Sequence, residues 1–261
     1  MVRRAAPLAL LLASQALVSQ AGASDLDDLL AALKKARSFA ARGQVEVTVL
    51  FPPRAVPTRT VGALPALPIR PGLLGKTFEA TRGEGEPVAG RPTVRYELNA
   101  RAGQAARWTL WIDQEWNVPL AFEERTAQGE LARRAVFQKV NAKLSRVNLG
   151  VSAPPAGLRA ALLRAVPGLR LPAGFTPVEV RRREGGGLDV TLSDGLNVLA
   201  LVTAPKSVRA APGVATRRVG AGFVWLVGNL PPGELKRALE GVRGVDEAGL
   251  GTFVPVADSK E

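Results

Sequence analysis

Asp113, Glu115, Glu123 and Glu124 crowd one short stretch of the chain, ARWTLWIDQEWNVPLAFEERTAQGELARRAVFQ at residues 106–138. Carboxylates brought together in this way suit general acid/base hydrolysis, in which one is kept protonated and the other ionised. The remaining composition leaves few other routes to chemistry. There is no histidine and no cysteine, which excludes Ser-His-Asp and Cys-His nucleophiles and imidazole or thiolate zinc sites. Hydrolysis would have to rest on carboxylates, lysines or the single tyrosine, Tyr96.

The elements that position these carboxylates argue against it. Trp108, Leu110 and Ile112 alternate with Thr109, Trp111 and Asp113; residues 118–122 and 136–140 alternate in the same way. This period predicts a three-strand antiparallel meander. DQEWN and TAQG are turn sequences and set Asp113, Glu115 and Gly129 at hairpin tips. Glu123 and Glu124 are neighbours on one strand and point to opposite faces, which makes them a poor catalytic pair. We therefore expect a solvated sheet edge and a chain that is not an enzyme, with no catalytic residue, metal or cofactor.

The N-terminus carries an export signature. Arg3 and Arg4 precede an apolar run, and Ala21-Gly22-Ala23 offers small residues where a signal peptidase reads, so cleavage is expected between Ala23 and Ser24. The run is short for a membrane span and is interrupted by polar residues; an uncleaved anchor is the alternative. No cysteine follows it for lipoprotein attachment. The net charge of +12 becomes +10 once Arg3 and Arg4 are removed. Beyond Arg181-Arg182-Arg183 the charge forms no run, so it reads as a diffuse field and not as a nucleic-acid arm. Acidic lipid head groups or an acidic partner segment are its natural counterparts, with peripheral membrane association as one consequence.

Periodicity organises the rest. Residues 25–42 predict a helix with Leu26, Leu29, Leu30 and Leu33 on one face and Ser24 as its cap. Residues 44–49 predict a strand, and the proline-rich 51–75 a loop with short extended pieces. Strands are predicted over 76–82 and 93–98. A Pro/Gly segment at 152–157 and a short helix at 158–166 mark the main boundary. Strands over 176–183, 188–192, 197–203, 214–219 and 222–228 follow, closed by a helix over 234–242. The expected division is a leader (1–23), a first domain (24–150), a linker with a short helix (151–170), a small α+β domain (171–245) and a loose tail (246–261).

The phrases LPAGF (171–175), LSDGLNVLALV (192–202) and FVWLVGNLPPGELKRALEGV (223–242), in that order, resemble the C-terminal domain of the MucB/RseB family of exported sigma-factor regulators. The N-terminal half, with its WTLWIDQEWNVPLAFEERTAQGELARRAVFQ phrase, resembles that family's first domain, an open β half-barrel also seen in the lipoprotein carriers LolA and LolB. The resemblance implies an α+β fold: an N-terminal open antiparallel β half-barrel with a helix, and a smaller C-terminal α+β domain. It also implies binding of the extracytoplasmic segment of an anti-sigma factor and a response to envelope stress or to lipid and lipoprotein signals. A LolA-like lipid or lipoprotein carrier is the alternative. Residues 44–91 are short and proline-rich beside the family pattern, which implies a truncated sheet and a shallower cleft. Candidate cleft residues are Trp108, Leu110, Trp111, Leu120, Phe122 and Phe137; Trp108 and Trp111 fall on opposite faces, and the pattern leaves open which one faces the cleft. Leu171, Pro172, Gly174, Phe175, Asp194, Gly195, Leu196, Gly228 and Pro231 carry the motif, and SDG and LPAGF read as backbone-shaping phrases.

Export is testable by intact mass. The exported protein is expected to begin at Ser24, whereas a membrane-bound species that retains residues 1–23 would make the leader an anchor.

Overall fold

The computed structural model describes residues 13–206 and 211–255, with side chains from Asp25 onward. Helix α1 (Ala13–Ala36) is followed by strands β1 (Phe39–Ala40), β2 (Gly43–Val49) and β3 (Thr58–Val61), the short helix α2 (Pro71–Thr77), and strands β4 (Phe78–Val88), β5 (Arg91–Ala100), β6 (Arg107–Asp113), β7 (Pro119–Arg125), β8 (Leu131–Val140) and β9 (Ser145–Arg146). Then come α3 (Leu158–Ala165), β10 (Thr176–Arg182), β11 (Leu188–Ser193), β12 (Val198–Ala204), β13 (Val214–Val219), β14 (Gly222–Val227), α4 (Pro232–Glu240) and α5 (Glu247–Gly251). The class is mixed α+β with antiparallel sheets, as expected. Among the described residues no helix is long and apolar enough to cross a membrane.

The first sheet has seven strands in the order β3-β2-β8-β7-β6-β5-β4. The predicted meander is its β6-β7-β8 centre, with Leu110 opposite Phe122 and Phe122 opposite Ala135. Val45, Val47, Leu98, Trp108, Leu110, Phe122 and Phe137 bury one face against Leu26, Leu29 and Leu33 of α1. Each fully buried leucine contributes about 2 kcal/mol, so the helix stripe holds α1 on the sheet. Three local expectations change. The helix is already under way at Ser24 and ends at Ala36, because residues 39–40 leave it to pair with β9; residues 1–12 of the expected leader lie outside the described residues. Residues 71–77 form α2 instead of loop and strand, stabilised by Pro71 in its first turn and by buried Leu74. Residues 44–91, expected to truncate the sheet, supply β2, β3 and β4, and β4 runs on to Val88 through Gly83, Gly85 and Pro87, which break its sequence period.

The second sheet has five strands in the order β10-β11-β12-β14-β13. One face is covered by α3, α4 and α5 through Leu158, Leu162, Leu235, Leu239 and Leu250. The helix of the expected linker thus belongs to this core. The expected loose tail is corrected as far as it is described: Asp246 caps α5 by accepting from the Gly249 N–H, and Leu250 is fully buried.

The β11–β12 hairpin tip, Ser193 to Asn197, docks on the first sheet. Leu196 is fully buried and joins the first sheet's core, not its own. Gly195 sits at φ 111°, and a Cβ there would lie 2.3 Å from the Leu74 nitrogen. Only glycine fits, for want of both space and backbone freedom. Gly195→Ala is expected to cost about 2–4 kcal/mol through overpacking and the left-handed backbone. Gly186→Ala, also at positive φ but with open space around it, should cost about 1–2 kcal/mol. Urea unfolding of both variants reads the difference, and equal losses would contradict the docking.

Candidate binding groove

The docked turn is built from polar groups that satisfy one another. The Asp194 carboxylate accepts from the Leu196 N–H (3.0 Å), the Asn197 N–H (2.7 Å) and the Asn197 side-chain amide (2.8 Å). Asn197 reaches across to the first sheet: its Oδ1 accepts from the Trp108 indole N–H at 2.7 Å, and its Nδ2 donates to the Ala106 carbonyl at 3.2 Å. The Thr77 hydroxyl donates to the Asp194 carbonyl, and the Arg70 N–H donates to the Gly195 carbonyl at 2.8 Å. Burial pushes the Asp194 carboxyl up, and the hydrogen bonds from Asn197 and the backbone N–H groups only partly offset it. A second bridge lies beside the first. Buried Glu124 takes the Arg133 guanidinium on one oxygen and the Asn229 amide on the other, the latter at 2.6 Å.

These bridges leave a groove of about 390 Å³ between the two sheets. Val47 and Val49 of β2, Phe122 of β7 and the proline-rich segments around Phe51 and Pro65 form one wall; Asn197, Val198, Gly228 and Asn229 form the other. Val198 is 40% exposed, an apolar side chain presented to solvent. Arg54, Arg59, Arg133 and Arg134 line the groove against a single carboxylate, Glu124. Glu124 is committed to Arg133, and Arg134 pairs with Glu123 at 3.3 Å. Arg54 and Arg59 make no ion pair among the described residues, so the groove carries net positive charge with an apolar lining. A second, narrower cavity of about 80 Å³ lies under α1, lined by Leu33, Leu64, Leu67, Phe122, Phe137 and Leu149 among others. Phe122 borders both spaces.

The sequence-predicted cleft residues divide. Trp108, Leu110, Leu120, Phe122 and Phe137 share the inner face, where Leu110 and Leu120 are sealed in the core and Trp108 is held by Asn197. Phe122 and Phe137 alone of the six line a cavity. Trp111 lies on the other face, where its indole donates to Glu86. Among the motif residues, Asp194, Gly195 and Leu196 make the docked turn. Phe175 is buried in the second core, with Leu171 packed against it and Pro172 buried nearby. Gly174 (φ 80°) abuts Thr77, a Cβ on Gly228 would strike Leu199, and Pro231 precedes α4.

The solvated-edge expectation fails for two carboxylates. Asp113 is buried and caps its own turn, accepting from the Glu115 and Trp116 N–H groups (3.0 and 2.6 Å) while pairing with Arg91 at 2.5 Å. Glu124 is buried in the bridge described above. Glu115 is solvated and Glu123 sits in surface ion pairs with Arg125 and Arg134. Arg54, Arg59, Asn197 and Asn229 were not singled out from sequence; TRTV at 58–61, between a proline and a glycine, was the available signal for a strand bearing Arg59.

The architecture is that of an antiparallel α+β protein with two main sheets, a small β1-β9 ladder and a polar-bridged groove. No protein-family model matches the chain, and no curated protein matches it in sequence. Solved structures do match, and structures of MucB are among them. The crystal structure of MucB has a TM-score of 0.56 at 19% identity, covering 85% of this chain and 98% of that one. The MucA/MucB complex of Pseudomonas aeruginosa gives 0.57 at 18% identity, over 86% and 99% of the two chains. MucB in complex with MucA(peri) gives 0.57 at 19%, with the same coverage. The chain has a MucB/RseB-like fold.

Buried Asp113 predicts a pH response. Burial opposes the Asp113 charge, but the Arg91 guanidinium and the turn N–H groups outweigh it and hold the carboxyl below its ordinary value. A depressed pKa gives stability that is complete above the ordinary value of about 4 and is lost as pH falls through the depressed one. Asp113→Asn is expected to cost about 2–4 kcal/mol at pH 7. The gap from wild type should narrow below about pH 4 in denaturation curves. A gap independent of pH would contradict the ion pair.

Proposed function

We propose that this chain is an exported regulatory binding protein that holds the extracytoplasmic segment of a membrane-anchored anti-sigma factor in the groove between its two sheets. The observation that carries this reading is the groove itself, where apolar Val47, Val49, Phe51 and Val198 sit beside an excess of arginine. An extended segment with alternating apolar and acidic side chains matches such a lining. Positive charge across the chain steers an acidic segment toward it, so association slows as salt rises. The fold likeness supports the reading, since two of the similar structures hold MucB with MucA. In this reading the seven-stranded sheet is an open half-barrel around α1, and the second sheet with its helices is the smaller domain.

A binding role suits the carboxylates better than catalysis does, because Asp113, Glu123 and Glu124 are each engaged by arginine. No cofactor or nucleic acid enters the reading. The apolar cavity under α1 favours a second reading, LolA-like carriage of an acyl chain or lipoprotein. Within the regulator reading the same cavity is where an acyl lipid acts as an envelope-stress signal, since Phe122 is a wall of both spaces. The chain then works beside the membrane surface, drawn there by its basic charge.

The test titrates the full chain with exported segments of one-span proteins encoded nearby. Val198→Glu, at an exposed position, is expected to keep the fold and weaken binding by at least ~10-fold through a buried unpaired charge. Added acyl lipid should weaken wild-type binding. Binding of no such segment, with capture of acylated peptide instead, would favour the carrier.

A further inference from the structure

Among the described residues, the groove wall ends in an unpaired strand edge. Arg59, which lines the groove, lies on β3, the outermost strand of the first sheet. The register places Val45 opposite Val61, Val47 opposite Arg59 and Thr48 opposite Thr58. The Val49 N–H donates to the Pro57 carbonyl at 2.8 Å, which fixes the parity of the ladder. Residues 57, 59 and 61 turn their backbone groups toward β2, and Thr58 and Thr60 turn theirs outward. Thr58, Arg59 and Thr60 are exposed. Their outward backbone groups have no partner among the described residues.

The opposite edge of the sheet is treated differently. On β4 the Arg82 N–H donates to Asp25 of α1 at 3.1 Å, and the Arg82 side chain pairs with Asp28 at 3.3 Å. That edge is covered by a helix, one of the usual protections against unwanted strand pairing. Among the described residues, the β3 edge has only its shortness, Pro57 and positive charge. Positive charge repels a second copy of a chain that is itself strongly basic (+12) but favours an acidic strand. Arg54 and Arg59 stand beside this edge without ion-pair partners, as described above.

We infer that the groove captures its ligand by strand addition: an acidic extended peptide pairs its backbone with Thr58 and Thr60 of β3 and sets its carboxylates against Arg54 and Arg59. This inference rests on the groove reading and deepens it by naming the mode of recognition and the peptide's chemistry. Backbone pairing supplies affinity that is largely independent of sequence, and the arginines select for acidic side chains on one face of the added strand.

The experiment uses the full-length protein and a blocked synthetic peptide of alternating glutamate and valine. Binding is read by fluorescence anisotropy and amide hydrogen exchange by NMR. In the free protein the Thr58 and Thr60 amides should exchange fast and the Arg59 and Val61 amides more slowly. At saturating peptide, Thr58 and Thr60 are expected to slow by at least ~10-fold. The Arg54→Glu/Arg59→Glu variant should bind the peptide at least ~10-fold more weakly, with the loss shrinking in high salt. Binding that leaves Thr58 and Thr60 fast, with Val198 still required, would overturn strand addition while the groove reading stands. Unchanged affinity in the double variant, or no binding of the acidic peptide, would also overturn it; failure of the nearby exported segments to bind is the separate result that removes the groove reading.

Discussion

The contact on which the rest of the structure depends is the docking of residues 193–197 against the first sheet. A buried carboxylate is tolerated there because Asn197 and two backbone N–H groups satisfy it. Asn197 then transfers that order to the Trp108 indole. Leu196 adds apolar burial in the neighbouring core, and Gly195 allows backbone to meet backbone at α2. Parting the two sheets would expose Leu196 and break the Asn197 hydrogen bonds to the Trp108 indole and the Ala106 carbonyl at once. The groove is therefore bounded by walls whose separation is fixed by hydrogen bonds and close packing, without a flexible linker setting it.

Fixed walls matter for recognition. A preformed groove spares the protein much of the ordering cost of binding, so a modest set of apolar and charged contacts suffices for affinity. The Glu124 bridge to Arg133 and Asn229 joins the units and neutralises one groove arginine, while Arg54 and Arg59 keep their charge without an ion pair among the described residues. Phe122 lies between this groove and the apolar cavity under α1. Under the proposed regulator function, a lipid that displaced its ring would alter the groove without touching the peptide, a physical route for release by lipid.

Much of the fold was legible because local pattern and tertiary role agree. The β6-β7-β8 meander, the second-sheet strands and α3 and α4 follow periods that the packed cores then use. β4 was not legible over its length: Gly83, Gly85 and Pro87 break the alternation, and pairing with β5 overrides propensity. α2 was hidden in a Pro/Gly stretch because its stability comes from Leu74 and the docked turn. At the site, Phe122 and Phe137 were readable as inner-face aromatics. Asp113 and Glu124 were not readable as buried, since their arginine partners lie on other strands. SDG was legible as a turn, but its docking depends on Thr77, Arg70 and Trp108, far away in sequence and brought near only by the fold.

Site-specific photocrosslinking addresses the central claim most directly. A photoreactive amino acid placed at Val198, and separately at Leu149 beside the cavity under α1, is exposed to the exported segment of a one-span protein encoded nearby, and the adducts are mapped by mass spectrometry. The account predicts adducts from position 198, joined to an acidic stretch of the segment and lost in competition with unlabelled segment. Adducts from position 149 alone, or from neither position while the segment still binds, would contradict it.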